Sequence, residues 1–516
     1  MLAYAIPTAA EVIKRTEECF GITPHSFQVQ DTIAQLQKRD VITISPTGSG
    51  KTMTFWMPLL FNGDGMKIVV TSLNILGDQN VAQLAKLGIR AVNLTKRTAT
   101  NKIYKEIENC RYRAIVVSPE RVLNDSRWNT LWESKKFHSH LFNISFDEAH
   151  CISEWGDFRP EYGELGRLRW LVPSHVRFHV VSATMPDLVL KDVKAKLQIR
   201  PETTTEIHLS NDRPNIHIVV EEMQFSAASK KDLARVLKLD GTSPPRKFLV
   251  FTNKRLETEE AVKKEWECLP DELKDKILWF HSGMSAEFRA KAIEKLKKGE
   301  IWGLFCTDAA GMGLDIPDIE LVIQWRYVPS LCTLFQRLGR AGRGDGTRAI
   351  GIYLVEPCYS DGHKNKVIGK RKRNGKKNNV PRKKRAIAAS LPVAPRQGEE
   401  TLEQIGGDDG RDGRGECEEE REPASEDEEV EVEIEDGADE ECAPIPNDQS
   451  TPAASQAGSA LPTSLPSPTG LTAEEYEAFA MDVFINARRR GVCRRKVINQ
   501  YFGNNKQGQH SPMAAL

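Results

Sequence analysis

Two short runs in this sequence have the residue types and the spacing for phosphate chemistry. The first is Ser45-Pro46-Thr47-Gly48-Ser49-Gly50-Lys51-Thr52. Gly48 and Gly50 let the backbone curl so that its N–H groups converge on phosphate oxygens. Lys51 would reach the β- and γ-phosphates of a nucleotide, and the Thr52 hydroxyl would hold Mg²⁺. Ser45 stands where such loops usually have their first glycine. The second run, roughly a hundred residues on, is Asp147-Glu148-Ala149-His150. Asp147 would hold Mg²⁺ through water, and Glu148 would polarise the attacking water. An isolated Asp-Glu pair at a strand end is usually a solvated turn, but downstream of a phosphate loop it points to catalysis.

Both runs need elements to aim them. The β-branched stretch Val41 to Ile44 precedes the loop and Met53 to Met57 follows it, which predicts strand, turn and helix. The helix N-terminus would add a favourable dipole for phosphate. Lys67 to Val70, Ala114 to Val117, Asn143 to Phe146 and Phe178 to Val181 read as further buried strands between amphipathic stretches. The rhythm restarts at Lys247 to Phe251 and continues through Ile277 to Phe280, Trp302 to Phe305, Leu321 to Ile323 and Ala349 to Ile352. The expected fold class is α/β, with two tandem doubly wound parallel-sheet domains over 1–212 and 213–360. The second has no phosphate loop, so an arginine on it could reach a nucleotide held by the first.

From 361 the pattern stops. Lys364 to Arg385 carries two basic clusters, 370–373 and 382–385, and 399–441 turns strongly acidic. Like-charge blocks with few aromatics bury too little surface to fold, so 361–470 is expected to be a disordered linker. The clusters have the form of a bipartite nuclear-localisation signal, the alternative being a solvated basic linker neutralised by the acidic block. The linker also offers a surface for protein partners. Over 471–516 order is expected to return. Thr472 and Glu475 form a capping box, and Tyr476, Phe479, Ala480, Val483, Phe484 and Ala487 recur at helical spacing. This tail is too short to fold alone and must dock.

Composition narrows the class. The chain has 516 residues, with 72 Lys and Arg against 72 Asp and Glu, so net charge says nothing about partners. Its 10 cysteines include no Cys-x-x-Cys pair, which argues against a disulfide framework and against an ordinary four-cysteine zinc site. Reduced thiols fit the cytosol or nucleus. No apolar run has membrane-spanning length, no membrane partner is expected, and Met1 to Ala10 does not read as a signal peptide.

The run from Asp147 to Tyr162, with Cys151-Ile152-Ser153-Glu154-Trp155-Gly156-Asp157-Phe158-Arg159-Pro160 at its centre, resembles the RecQ family of superfamily-two DNA helicases. The resemblance covers roughly 15–355. Ser72 to Gln79, Ser118-Pro119-Glu120, Ser182-Ala183-Thr184, Asp212-Arg213-Pro214-Asn215, Phe305 to Asp315 and Gln336 to Arg343 resemble the family's other motifs in order. It implies RecA-like domains, with ATP and Mg²⁺ as cofactors. Thr47, Gly48, Ser49, Gly50, Lys51 and Thr52 would hold the nucleotide with Gly313 and Asp315, while Gln28 would read adenine. Arg340 and Arg343 would face the γ-phosphate, and Gln336 would couple the domains. Trp155 and Phe158 would stack on unpaired bases and Arg159 would meet backbone phosphate, the alternative for the two aromatics being core packing.

The sequence departs from the family in several places, among them the family's Phe-Arg pair, which falls near Pro24-His25. The aromatic loop lacks the histidine between Gly156 and Asp157, and Ile22 replaces the aromatic that would stack on adenine. Cys493 to Gly503 resembles the opening of the zinc-binding subdomain, but no later cysteine follows, so no zinc is expected. The expected activity is ATP-dependent 3′ to 5′ unwinding of single-stranded-tailed duplex DNA in repair or recombination. The rivals are a DNA-stimulated ATPase that does not separate strands and a nuclear interaction protein with a relic ATPase.

Overall fold

The computed structural model describes residues 4–71, 74–156, 159–239, 244–311, 316, 318–344, 346–364 and 462–504. Its first sheet has seven strands: β1 (Asp40–Ile44), β2 (Met66–Val70), β3 (Ala91–Leu94), β4 (Ala114–Val117), β5 (Leu141–Phe146), β6 (Arg177–Ser182) and β7 (Thr204–His208). They lie in the order β3-β4-β2-β5-β6-β1-β7, every pairing parallel. Strands covered by helices on both faces are expected to be apolar along their whole length, and β1, β2, β4 and β5 are buried at every residue. Parallel strands deliver all their C-terminal loops to one edge. The phosphate loop follows β1, Thr71 follows β2, Ser118 follows β4, Asp147 follows β5, and Ser182 ends β6.

The second sheet has six strands: β8 (Ile216–Glu222), β9 (Phe248–Phe251), β10 (Ile277–Phe280), β11 (Gly303–Cys306), β12 (Leu321–Trp325) and β13 (Ala349–Val355). Their order is β10-β11-β9-β12-β13-β8, again all parallel. Both sheets have the expected architecture.

A polar network lies inside the first domain, beneath the helix that follows the phosphate loop. Lys67 on β2 donates to Gln35 Oε1 at 2.8 Å, and Asn143 on β5 donates to the same oxygen at 2.6 Å. Asp31 accepts from Gln35 and Thr43 and bonds His179 at 3.0 Å. Gln35 also donates to the Thr54 carbonyl at 2.9 Å, which ties the network to the helix that begins at Met53. Burial pushes the Lys67 ammonium down to about 7, with Asp31 acting the other way.

Order extends beyond the expected linker bounds at both ends. Asp361 is buried and ion-paired to Arg490 at 2.7 Å, and Leu465 is buried with its backbone held by Gln500. An aspartate matched to an arginine more than a hundred residues away carries no local sequence signal. The basic and acidic blocks within 365–461 lie outside the described residues. The tail forms helices Ala473–Asn486 and Arg494–Tyr501, the first with the expected Thr472–Glu475 capping box. Tyr476, Ala480, Val483, Phe484 and Tyr501 bury themselves in the core of the second domain, so the tail is docked.

Candidate functional site

The phosphate loop is shaped by its glycines. Gly48 has φ +78° and Gly50 φ +77°, conformations that side chains with a Cβ rarely adopt. A Cβ at Gly50 would also lie 2.8 Å from Gln28 Nε2. The helix behind the loop is one turn, Met53–Trp56, continued as 3₁₀ through Leu60. Lys51 donates to the carbonyls of Ser45 at 3.1 Å and Pro46 at 3.0 Å. Desolvation lowers its ammonium to about 8, with Arg343 and Arg340 adding to the fall while Glu148 and Asp147 oppose it. Ser45 and Ser49 bond each other through their hydroxyls at 2.9 Å, a cross-link that a glycine at position 45 would lack.

Asp147 and Glu148 leave the end of β5 beside this lysine. Glu148 holds a positive φ of 45°, a strained conformation for a carboxylate residue at a site of this kind. Burial first, and the neighbouring Glu148 second, push the Asp147 carboxyl up to about 7. A divalent cation beside Asp147 would relieve both effects, so the carboxyl and the Thr52 hydroxyl are a chemically suitable donor pair for Mg²⁺. His150 Nδ1 lies 3.5 Å from Glu148 and 3.0 Å from Ser182 Oγ. Burial keeps that imidazole below its usual range, hence neutral.

The second domain closes on this arrangement. Gln336 Nε2 lies 2.9 Å from His150 Nε2 and donates to Thr184 Oγ1 at 2.9 Å. An amide N–H can only donate, so His150 Nε2 is the acceptor and Nδ1 carries the proton. Glu148, His150, Ser182, Thr184 and Gln336 thus form one polar chain across the domains. Arg343 packs against Gly48, its Cγ 3.5 Å from where a Cβ would stand, and Arg340 is buried. Thr47 donates to the Gly339 carbonyl at 3.1 Å.

Three residues with large roles here had no role assigned from sequence. Arg213 donates to the Thr47 carbonyl at 2.9 Å and to the Gly342 carbonyl at 2.6 Å, lacing the phosphate loop to the arginine turn. Arg337 pairs with both oxygens of Asp308 at 2.8 and 2.7 Å. Glu120 pairs with Arg159. Each lies in a run whose resemblance was visible, but a pairing partner is not written into a motif.

Gln28 is placed against the loop. Its Nε2 donates to the Gly50 carbonyl at 2.8 Å and its Oε1 accepts from the His25 N–H at 2.7 Å, so both faces of the amide are engaged by backbone. Ile22 is exposed. Trp155 is partly buried on the first core, edge-on to Tyr162 at 5.3 Å, with Arg159 over its ring at 5.6 Å. It stands one residue beyond the helix Cys151–Glu154. Phe158, Gly313, Asp315, Ser72 and Leu73 lie outside the described residues. Cys493 is exposed at the start of the helix Arg494–Tyr501.

The family described as DEAD/DEAH box helicase matches residues 26–193, and the one described as helicase conserved C-terminal domain matches 229–345. The chain is 31% identical over 337 residues to the ATP-dependent DNA helicase Q-like 2 of Arabidopsis thaliana, covering 63% of this chain and 46% of that one. It is 32% identical over 350 residues to the probable ATP-dependent DNA helicase RecS of Bacillus subtilis, covering 66% and 65%. The chain therefore spans about half to two thirds of the length of these relatives. Among solved structures, the DUF1998 helicase MrfA bound to DNA and AMPPNP superposes with TM-score 0.54 at 18% identity, over 67% of this chain and 51% of that one, a likeness of fold.

Proposed function

The chain belongs to the RecQ family of helicases, and on that premise we propose that it hydrolyses ATP to move 3′ to 5′ along single-stranded DNA and to unwind duplexes. The observation that carries the reading is the polar chain from Glu148 through His150 to Gln336, which joins the hydrolytic carboxylate to the second domain. Lys51, the loop N–H groups, Arg340 and Arg343 bind the phosphates and offset the charge that develops on the γ-phosphoryl group. Glu148 orients and deprotonates the attacking water. Thr52 and Asp147 would hold Mg²⁺, which would supply positive charge to offset that of the phosphates. Loss of the γ-phosphate removes the partner of both arginines, and the domains open by a step along the strand.

Trp155 supplies a face for an unpaired base and Arg159 a phosphate contact. Both must leave their present partners, Tyr162 and Glu120, to do so. That observation favours a second reading, an ATPase stimulated by DNA that does not separate strands. A strand-displacement assay on a 3′-tailed DNA duplex with and without ATP decides. ATP-dependent release of the strand supports the helicase, whereas DNA-stimulated hydrolysis without release supports the translocase. Roles in repair or recombination and a nuclear address through 364–385 belong to the same proposal. A reporter fused to 364–385 that stays evenly spread through the cell would remove the address.

A further inference from the structure

Nothing in the proposed reaction uses the tail, yet its helices meet the catalytic interface at one buried cluster. Glu477, on the helix Ala473–Asn486, accepts a hydrogen bond from the backbone N–H of Leu331 and another from the hydroxyl of Tyr501. Leu331 begins the eight-residue helix Leu331–Leu338, and Gln336 lies near its other end. Phe335 on that helix packs edge-on against Phe484 and Phe502 of the tail at 5.8 and 5.6 Å.

We propose that Glu477 and Tyr501 are positioning residues for ATP hydrolysis: they fix the start of the helix Leu331–Leu338 and so keep Gln336 against His150 and Thr184. The proposal rests on the reading of this chain as an ATPase.

The physical case has three parts. First, the leading N–H groups of a helix have no partner within it and favour a negative charge. Ser330 already caps Thr333, and Glu477 satisfies Leu331. Second, from Leu331 to Gln336 is about 7.5 Å along a helix axis, so a slip at one end of so short a rod is felt at the other. Gln336 holds His150 and Thr184 through single hydrogen bonds of 2.9 Å, which tolerate little displacement. Third, the tail is anchored on the first domain and the crossover as well. Asn504 and Asn211 exchange hydrogen bonds at 2.9 and 3.3 Å, and Arg495 pairs with Asp212 and donates to the Ile216 carbonyl at 2.7 Å. The tail therefore holds both ends of the closure that brings Gln336 to its partners.

The cluster also contains Glu154, the last residue of the helix that follows the acidic run. The titratable groups acting on it are Glu477 and Tyr501 from the tail, Cys332 from the Gln336 helix, and Glu148 and Cys151 from its own segment. Burial, and then the charge of Glu477, push its carboxyl up to about 8. Below that pH Glu154 is neutral beside Glu477. Above it a negative charge enters the buried space beside Glu477, whose own carboxyl burial also raises, and works against closure.

The test uses the full chain. Glu477→Ala is expected to lower the kcat of ATP hydrolysis about tenfold while KM for ATP stays within about twofold, because the phosphate loop is untouched. Glu477→Gln keeps an acceptor for the Leu331 N–H and is expected to recover most of that loss, and Tyr501→Phe to fall between. Glu154→Gln, which cannot ionise, is expected to make the decline of kcat above about pH 8 shallower than in the parent, the remainder belonging to Lys51. Parental kcat in Glu477→Ala, with Lys51→Ala inactive, would overturn the proposal and leave the ATPase reading standing. If the parent itself does not hydrolyse ATP, that reading falls. Amide exchange of 331–338 then decides: faster exchange in Glu477→Ala supports positioning and unchanged exchange refutes it. Should Glu477→Ala not fold, Glu477→Gln and Tyr501→Phe carry the same two measurements.

Discussion

Arg337 and Lys51 are the two cations on which the interface turns, and their surroundings differ in kind. Arg337 is buried with every side of its guanidinium met: Asp308 takes two bonds, and Asn253 and Gln324 accept at 2.9 and 2.8 Å. The pairing with Asp308 keeps its charge permanent against the burial that opposes it. Among the described residues Lys51 has only carbonyl oxygens of its own loop as hydrogen-bond acceptors, two arginines press on it, and its ammonium is weakened to about 8. A cation satisfied by the fold is scaffold. A cation left with weak acceptors beside two carboxylates and two arginines is one that an anionic ligand completes. The same contrast holds among the acids, since Asp308 is neutralised by Arg337 while Asp147 is pushed up to about 7 by burial and a like charge.

The sharpest way to break the comparison is to remove each cation. Lys51→Ala is expected to abolish ATP hydrolysis and to leave the thermal midpoint within a few degrees, because no buried anion depends on it alone. Glu148→Gln should likewise abolish hydrolysis while nucleotide binding survives. Arg337→Ala is expected to cost about 3 kcal/mol of stability, since it leaves the half-buried Asp308 and the buried oxygens of Asn253 and Gln324 without their donor. Denaturant unfolding and steady-state hydrolysis on the same preparations check all three. Equal stability losses for Lys51→Ala and Arg337→Ala would erase the distinction.

A smaller effect tests the strand loop. Trp155 packs on Tyr162 here, and base stacking is worth roughly 1–3 kcal/mol per base. Trp155→Ala is therefore expected to lose most of the stimulation of hydrolysis by single-stranded DNA. Rate against DNA concentration for parent and variant measures this, and identical curves would assign Trp155 to the core alone.

What was legible in the sequence divides along the same line. The phosphate loop, the acidic run and ten of the thirteen strands are local patterns, and each lies where residue type and period predicted. The three strands not anticipated are β3, β7 and β8. β3 is four residues long with Asn93 in its middle, and β7 and β8 are edge strands whose residues are mostly half-buried, so none shows a continuous apolar run. Arg213, Arg337, Glu120 and Glu477 were legible as charges but not as roles, because each takes its meaning from a partner at least 29 residues away in sequence. The polar network around Asp31 was missed for a related reason. Lys67 and Asn143 begin stretches read as apolar, and period alone cannot show that their heads meet one another inside the domain.

That network supplies the last and smallest test, a second buried cation in the first domain. Lys67 resembles Arg337 in being enclosed, but its hydrogen-bond acceptors are the neutral oxygens of Gln35 and Thr54, and burial lowers its ammonium to about 7. In an unfolded chain the same group titrates near 10.4. Between those values the unfolded state holds the proton and the folded state does not, so stability rises as pH rises through this window. Below about 7 both states are protonated and the burial of charge opposes folding by a constant amount. Lys51 and other groups titrate nearby, so the informative quantity is the difference between parent and Lys67→Met, whose side chain has no proton to lose. From pH 6.5 to pH 8.5 the parent is expected to gain on the order of 2 kcal/mol relative to the variant. Urea unfolding at both values measures it. An unchanging difference would mean that Lys67 remains charged in the folded domain, held like Arg337 by compensation that the hydrogen bonds of Gln35 supply.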